Sequence, residues 1–246
     1  IVLLHLASIT VITAQKLYGQ AVFSRNGKIE LGIGFGPSFF LGDLGGNRGK
    51  GTAFIKDVNL ELTQFDKRFY LNWYPREWLG LRLGINKGIV EGDDALIKNN
   101  GGAETERIFR NLSFRSGIEE FYAGIEFYPS FFLEKKSGLK NKLRLYVIAG
   151  AGVLHFNPKA RNAKGEWIAL KPLRLEGQGF AEYPDRKEYK LWTTERPMGT
   201  GFKYFFSENF YAGAEMLYRK TFTDYIDDVS TAYVNPDLFD NYLSTD

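Results

Sequence analysis

Hydrophobic and polar residues alternate with a period of two along seven segments of the chain. The segments span residues 28–41, 62–74, 79–90, 111–128, 142–155, 198–206 and 209–220. In the fifth segment, for example, Leu143, Leu145 and Val147 share one face, whereas Arg144 and Tyr146 share the other. Successive side chains of a strand point to opposite sides, so this period predicts β-strands and not helices. We therefore expect an all-β fold.

The connections between these segments alternate in length. The long connections are residues 42–61, 91–110 and 156–197, and the shorter ones are residues 75–78, 129–141 and 207–208. Bacterial outer-membrane barrels combine short periplasmic turns with longer extracellular loops in this way. The sequence thus predicts a transmembrane, antiparallel, up-and-down β-barrel of about eight strands over residues 28–246, with long extracellular loops.

The polar face of the predicted strands carries charged residues that are interleaved with glycine. These residues are Glu30, Arg68, Arg82, Glu126, Arg144, Lys203, Glu215 and Arg219. The interior of an eight-stranded barrel is only wide enough to be filled by side chains. Because an isolated buried charge costs several kcal/mol, the two signs must pair there. We expect a plugged, charge-paired lumen; the alternative is a soluble sheet whose polar face lies in water.

The N-terminal segment has a different pattern. Residues 1–14 are nearly all apolar or small, and they are too few to span a bilayer as a helix. They are typical of the apolar part of a secretory signal peptide, with cleavage near Ala14 and Gln15 and a periplasmic segment over residues 15–27. The alternative is a buried core strand or helix. We expect the front of this signal, with its initiator Met and basic residues, to precede residue 1.

The number of predicted strands has its own consequence. A closed antiparallel bacterial barrel has an even number of strands, whereas the pattern predicts seven. Residues 221–246 contain no further clear strand. We therefore expect the closing C-terminal strand to lie beyond residue 246.

Composition and charge agree with a membrane-embedded sheet. Aromatic residues make up 16% of the chain, which also has 27 glycines. The net charge of +3 gives no reason to expect a nucleic-acid partner. The chain has no cysteine, which excludes disulfides and thiolate metal sites. We expect outer-membrane lipid as a partner, and we expect no cofactor.

Two groups of residues suggest alternative chemistry. His155 lies at the end of the fifth segment, near Ser113 and Ser116 of the fourth, and a Ser–His pair on a membrane barrel could cleave lipid esters. A single histidine at a strand end is more typical of the membrane interface, so we predict no catalytic residues. A second group, Asp224 to Asp228, packs three carboxylates into five residues. It either binds Ca²⁺ or forms a hydrogen-bonded loop base, and we favour the loop base.

Two connections are candidate binding surfaces. The turn 129–141 contains Lys135, Lys136 and Lys140, which could face phospholipid headgroups or a periplasmic protein; the alternative is a simply solvated turn. The long loop 156–197 would instead serve a surface or adhesion role.

Two stretches of the chain resemble a known family. One runs from Glu30 to Leu44 and ends in Gly42, Asp43 and Leu44. The other runs from Pro197 to Thr231 and includes Thr223, Asp224, Tyr225, Asp227 and Asp228. Over about residues 28–235 the sequence resembles the PorG-like outer-membrane proteins of Bacteroidota, which belong to the type IX secretion and gliding apparatus. The resemblance implies a non-enzymatic barrel associated with the periplasmic PorK–PorN ring, and the family also contains barrels without an assigned role.

Overall fold

The fold is all-β, as the alternation predicted. The computed structural model of the chain describes residues 2–5, 9–15, 27–42, 62–96, 111–132, 142–207 and 209–242. Its ten strands are β1 (Val2–His5), β2 (Ile9–Gln15), β3 (Ile29–Leu41), β4 (Gln64–Arg76), β5 (Leu79–Asp93), β6 (Ser113–Phe127), β7 (Leu143–Arg161), β8 (Trp167–Ala169), β9 (Trp192–Phe205) and β10 (Phe210–Thr221).

The helices of the described residues are short and lie in the connections. They include the 3-10 helices Asp94–Leu96, Lys171–Leu173, Tyr225–Asp227 and Pro236–Leu238 and the α-helix Phe239–Tyr242. In the part of the chain that the structure describes, no helix has both the length and the apolar character needed to cross a membrane.

Seven long strands form an antiparallel up-and-down sheet. The strands β3, β4, β5, β6, β7, β9 and β10 pair with one another in this order. The short β8 pairs with the last three residues of β7, beyond the point where β9 begins. We call the end of the sheet that carries the long connections the outer end, and the opposite end the inner end.

The N-terminal segment lies between β3 and β10, which are the two edge strands of this sheet. Both β1 and β2 pair antiparallel with β3 and with β10, so the pairing runs around a ring. A closing strand beyond residue 246 stays a prediction, but in the structure residues 2–15 occupy the position of the closing strand. Their β-branched residues favour strands, and their direction is antiparallel to both neighbours. Cleavage of residues 1–14 as a signal peptide stays a prediction.

The two faces of the long strands differ as the alternation predicted. In β6 every second residue from Phe114 to Glu126 is buried, and the residues between them are exposed or half-buried. Large apolar side chains on the outward face are strongly exposed: Ile33 by 60%, Phe121 by 50% and Leu145 by 48%. Among the described residues, no second layer covers these rows.

Several strands extend further than the alternation indicated. The sixth predicted strand was placed at 198–206, whereas β9 begins six residues earlier at Trp192. The fifth was expected to end at residue 155, whereas β7 continues to Arg161. The added residues include Arg196 and Lys159, so the outward face becomes polar toward the outer end. The alternation of apolar and polar residues therefore reveals only the part of each strand that has an apolar outward face, and it misses the polar extensions.

Candidate functional site

A network of buried polar side chains fills the lumen. Every one of the seven long strands contributes at least one member. The members include Glu30, Arg68, Asn72, Tyr74, Arg82, Glu126, Tyr128, Tyr146, Lys203, Tyr211 and Glu215. Strand alternation directs these side chains inward, while their neighbours in sequence face outward.

Arg82 joins two carboxylates at the centre of the network. Its guanidinium contacts Glu126 and lies 2.5 Å from a carboxylate oxygen of Glu215. Its Nε–H donates to Asn72 at 3.2 Å. Glu215 also pairs with Arg68 and accepts a hydrogen bond of 2.7 Å from Tyr146. The guanidinium is the group best suited to such bridging, because it is planar and offers five donors.

Lys203 occupies a second centre, toward the inner end. Its ammonium group donates to a carboxylate oxygen of Glu30 at 2.7 Å and to the hydroxyl of Tyr74 at 2.8 Å. Five tyrosine rings surround the ammonium at 5.1 to 5.9 Å from their centroids, namely those of Tyr70, Tyr74, Tyr128, Tyr146 and Tyr211. Aromatic faces at this distance stabilise a desolvated cation.

The charges of this network balance. Its cations are Arg68, Arg82 and Lys203, and its anions are Glu30, Glu126 and Glu215. Three positive charges thus meet three negative ones in a region from which water is excluded. Buried ion pairs are tolerated only when their geometry and hydrogen bonds compensate for lost hydration. The arrangement holds the barrel interior closed and leaves no net charge at its centre.

Two of the eight predicted lumen charges lie outside this balanced set. Arg219 is buried nearer the outer end, where its Nε lies 2.8 Å from a carboxylate oxygen of Glu120. Arg144 is buried at the inner end, and its guanidinium lies 3.5 Å from the carbonyl oxygen of Glu77. Glu120 was not singled out from the sequence. It shares the inward phase of Tyr122 and Glu126, which was the signal that could have found it.

Tyrosines complete the packing of the lumen, and sequence reasoning missed their role. The rings of Tyr70 and Tyr122 lie over Gly32 and Gly84 of neighbouring strands. A β-carbon built on Gly32 would come within 2.3 Å of the Tyr70 ring, and one on Gly84 within 2.4 Å of the Tyr122 ring. These inward glycines therefore provide the volume that the rings occupy.

An apolar cap closes the outer end of the lumen. Its buried members are Phe40, Val90, Phe114, Ile118, Leu154, Phe156, Tyr189 and Ile226. Ile226 comes from the segment after β10 and is fully buried, so this segment folds back over the strands. We refer to these residues as the outer cap.

The acidic segment that carries the family resemblance forms the base of this cap. Tyr225 begins a short 3-10 helix, and its ring stacks on that of Tyr189 at a centroid distance of 4.5 Å. The Tyr189 hydroxyl donates to a carboxylate oxygen of Asp228 at 2.5 Å. Thr223 accepts a hydrogen bond of 3.3 Å from the backbone N–H of Tyr225. Asp228 adopts a left-handed conformation with φ of 65°, which Asp tolerates better than most residues.

Burial sets the protonation of this pair. Burial raises the pKa of Asp228, the hydrogen bond from Tyr189 lowers it and the Glu176 carboxylate raises it, and the net result is a pKa of about 6. Burial and the adjacent Asp228 also raise the pKa of Tyr189 well above its ordinary value, so this hydroxyl remains a donor. Glu176 itself accepts backbone hydrogen bonds of 2.9 and 2.7 Å from Ser230 and Thr231.

The three carboxylates of the acidic segment do not converge. Asp224 is exposed, whereas Asp227 and Asp228 are buried. Asp227 accepts a hydrogen bond of 3.4 Å from the backbone of Val229, while Asp228 is engaged by Tyr189. Within the described residues, no group of three or more acidic, His or Cys side chains has the geometry to hold a metal ion. The hydrogen-bonded loop base is the arrangement observed.

His155 and the two candidate serines are not brought together. His155 faces outward and packs against the ring of Trp192 at 4.9 Å. Ser116 faces the interior and accepts a hydrogen bond of 3.1 Å from the backbone N–H of Asn157. Ser113 faces outward but lies six residues along β6 from Glu119, the residue that pairs with His155. Six residues of a strand span about 20 Å, which precludes direct proton transfer.

Some predicted residues lie outside the described part of the chain. These are Asp43 and Leu44 of the first family stretch and Lys135, Lys136 and Lys140 of the basic turn. Gly42 is described, and a β-carbon on it would come within 2.2 Å of the Phe40 ring, which belongs to the outer cap. Just before the basic turn, Phe132 packs near Trp78 and Phe127 with ring centroids 6.3 and 6.1 Å away.

The comparisons with known proteins give no further identification. No protein-family model matches the chain, and a search of curated proteins finds no significant relative.

Proposed function

We propose that this chain is a non-enzymatic outer-membrane β-barrel that tethers the periplasmic ring of a type IX secretion system to the membrane. In this role the exterior of the barrel meets lipid, the inner end meets periplasmic proteins, and the lumen serves only as a rigid core. The proposal combines a membrane location with a secretion partner, and each part has its own support.

The observation that carries the membrane part is the contrast between the two faces of one sheet. The outward rows are apolar and exposed, while the inward face buries three cations and three carboxylates that pair with one another. A soluble protein would place these faces the other way round, because exposed apolar rows of this extent are unfavourable in water. A water-filled pore would leave the lumen charges hydrated instead of paired with one another.

The secretion part is supported by the resemblance to PorG-like proteins. The residues that carry it are not scattered over the surface. Tyr225, Asp228 and Gly42 all contribute to the outer cap or its base. The most distinctive stretch of the sequence therefore has a definite structural task, which is the kind of constraint that a shared barrel architecture imposes.

The first experiment tests location and partner together. The full-length tagged protein is expressed in its own cells, the outer membrane is isolated, and the protein is purified in mild detergent. We expect it in the outer-membrane fraction, accompanied by the ring proteins. If the protein is recovered from the outer membrane without any ring protein, the tethering role is wrong, but the membrane location stands.

A charge variant locates the contact at the inner end. Lys135, Lys136 and Lys140 are replaced together by Gln, and the matched control replaces Lys164, Lys171 and Lys187 of the outer loops. We expect the inner variant to lose the ring proteins at least severalfold while it still reaches the outer membrane. The control should retain them. Equal recovery with both variants would exclude the basic turn as the contact.

A surface-binding role is a second candidate, because the outer loops form a folded layer. The Phe180 ring stacks on that of Tyr242 at 3.9 Å, and Arg186 donates hydrogen bonds of 2.7 and 2.8 Å to the backbone carbonyls of Glu176 and Ala232. This layer joins residues 170–191 with residues 222–242. Replacing residues 170–191 by a short linker should abolish surface binding if this role is correct, and leave secretion unchanged.

A further inference from the structure

The outward face of β5, β6 and β7 changes character at one row of the sheet. Lys87, Glu119, His155 and Trp192 are register partners on four neighbouring strands. On the inner side of this row the outward residues are apolar, beginning with Ile85, Phe121 and Val153, and all three are exposed. On its outer side they are mostly polar. This row therefore marks the outer boundary of the apolar surface.

A notch of about 410 Å³ opens in the wall directly beyond that boundary. Its lining includes Lys87, Arg115, Gly117, His155, Lys159 and Trp167. Gly117 leaves the space in the wall, because a β-carbon built there would meet nothing within 4 Å. The notch is thus a concave site on the outward face, separate from the lumen.

The notch is basic. Three cationic side chains line it, Lys87, Arg115 and Lys159, against the single carboxylate of Glu119. Two of the cations form ion pairs: Lys87 lies 2.6 Å from Glu119, and Arg115 lies 2.9 Å from Glu91. Lys87 remains 76% exposed despite its ion pair, so it can take a further anionic partner. Within the described residues, Lys159 has no ion pair.

Aromatic side chains frame the same place. The Trp167 ring lies under two guanidinium groups, that of Arg161 at 5.0 Å and that of Arg115 at 5.5 Å. Trp192 packs against His155 at the boundary row, with the two rings tilted by 49°. Tryptophan with Lys and Arg is the combination that proteins place at the level of lipid headgroups.

We propose that this notch binds the phosphorylated headgroup of a lipid in the outer leaflet, with the acyl chains lying on the apolar rows below. The inference rests on the membrane location proposed above. Charge complementarity selects an anionic headgroup, and the step from the basic notch to exposed Ile85, Phe121 and Val153 matches the step from headgroup to hydrocarbon. Arg115 supplies the fork geometry that suits phosphate, and Lys87 and Lys159 add point charges on either side.

The test uses the full-length barrel in mild detergent and native mass spectrometry. The probes are lipid A carrying two phosphates and the same lipid without phosphate. We expect the wild-type protein to bind the phosphorylated lipid and to discriminate against the other. Arg115→Gln and Lys159→Gln should each weaken binding about fivefold, the effect of one basic side chain at an anionic membrane surface. Gly117→Leu, which fills the notch, should abolish it.

The controls separate this inference from the membrane assignment. Lys187→Gln removes the same charge from an exposed outer loop and should bind as the wild-type protein does. Mobility on unheated detergent gels shows that each variant is folded. Unchanged binding by Gly117→Leu and both charge variants would overturn the inference, as would complete displacement by millimolar inorganic phosphate, which indicates a free-anion site. Recovery of the protein from a soluble fraction would overturn the membrane location itself.

Discussion

Lys203 lies where five tyrosine rings and the carboxylate of Glu30 meet, and its ammonium group is almost completely shielded from solvent. In such surroundings a charge is stable only with its counter-ion, because no water replaces a lost partner. Single side chains of the lumen therefore affect stability far more than surface charges do. The carboxylates of Glu30 and Glu126 depend on Lys203 in the same way.

Replacing Lys203 with Met should destabilise the barrel by about 3–5 kcal/mol, because it leaves buried carboxylates without a partner. Urea unfolding of the protein in lipid vesicles measures this change. The double variant with Glu30→Gln removes one negative charge as well and should recover part of the loss. An unfolding midpoint for Lys203→Met equal to that of the wild-type protein would contradict the charge balance described for the lumen.

Asp228 gives the outer cap a dependence on pH. Its folded-state pKa of about 6 lies above the unfolded value. The folded cap thus favours the protonated form, so the contribution is complete below the unfolded pKa and is lost as pH rises through about 6. We expect the cap to be about 1 kcal/mol more stable at pH 5 than at pH 7.5. Hydrogen exchange over residues 222–231, corrected for intrinsic rates, measures it.

The matched variant for that measurement is Asp228→Asn. Its amide oxygen still accepts the hydrogen bond from Tyr189, but it carries no charge at any of these pH values. We expect its exchange rates to be independent of pH after correction, and slower than those of the wild-type protein at pH 7.5. A wild-type difference that persists in this variant would assign the pH dependence to another group.

The sequence predicted which face of a strand each residue occupies, but it did not predict which residues meet one another across the lumen. Alternation alone placed Arg82 and Glu215 in the interior, because phase is a local property of a strand. Their contact joins residues 133 positions apart, and it depends on how the ring of strands closes. The contacts of the tyrosines were missed for a related reason: alternation placed Tyr70 on the polar face, but its packing over Gly32 depends on the register of the next strand.

At the scale of elements, the apolar part of each strand was predictable and the polar extensions were not. Strand β7 continues to Arg161 because β8 pairs with its last residues, and a three-residue strand leaves no periodic signal. The order of the seven long strands followed from the alternating connection lengths. Occupation of the eighth position by residues 2–15 did not, because the same apolar run fits a signal peptide as well as a strand.

The N-terminus of the mature protein shows whether residues 1–14 are cleaved as a signal peptide or retained as strands. We expect the protein isolated from the outer membrane to begin near Gln15, since residues 1–14 have the apolar character that export signals share. Intact mass and N-terminal sequencing provide the measurement. If residues 2–15 are recovered instead, β1 and β2 are the resident closing strand. Wild-type protein from inclusion bodies has not been exported, so its uncleaved chain provides the reference mass.

The whole molecule presents a filled lumen capped at its outer end. Balanced ion pairs and tyrosine rings occupy the centre, and the outer cap covers one opening with Ile226 and its neighbours. A barrel of this width has room for side chains and not for a water channel. We therefore expect no diffusion of solutes through the molecule.

Planar bilayer recordings test this closure. We expect no stepwise ion conductance from the reconstituted wild-type protein, while a sixteen-stranded porin serves as the positive control. Sustained unitary steps, abolished by antibodies against the outer loops, would show that the lumen opens in a membrane.

The participation of all seven long strands in one lumen network also governs how the molecule responds to pulling. Extracting β5, β6, β9 or β10 would carry away a charge whose counter-ions belong to two other strands, as when β5 takes Arg82 from Glu126 and Glu215. We therefore do not expect individual hairpins to detach one after another, each at its own force. Under an applied force we expect the barrel to hold and then rupture in one event, which agrees with the tethering role proposed above.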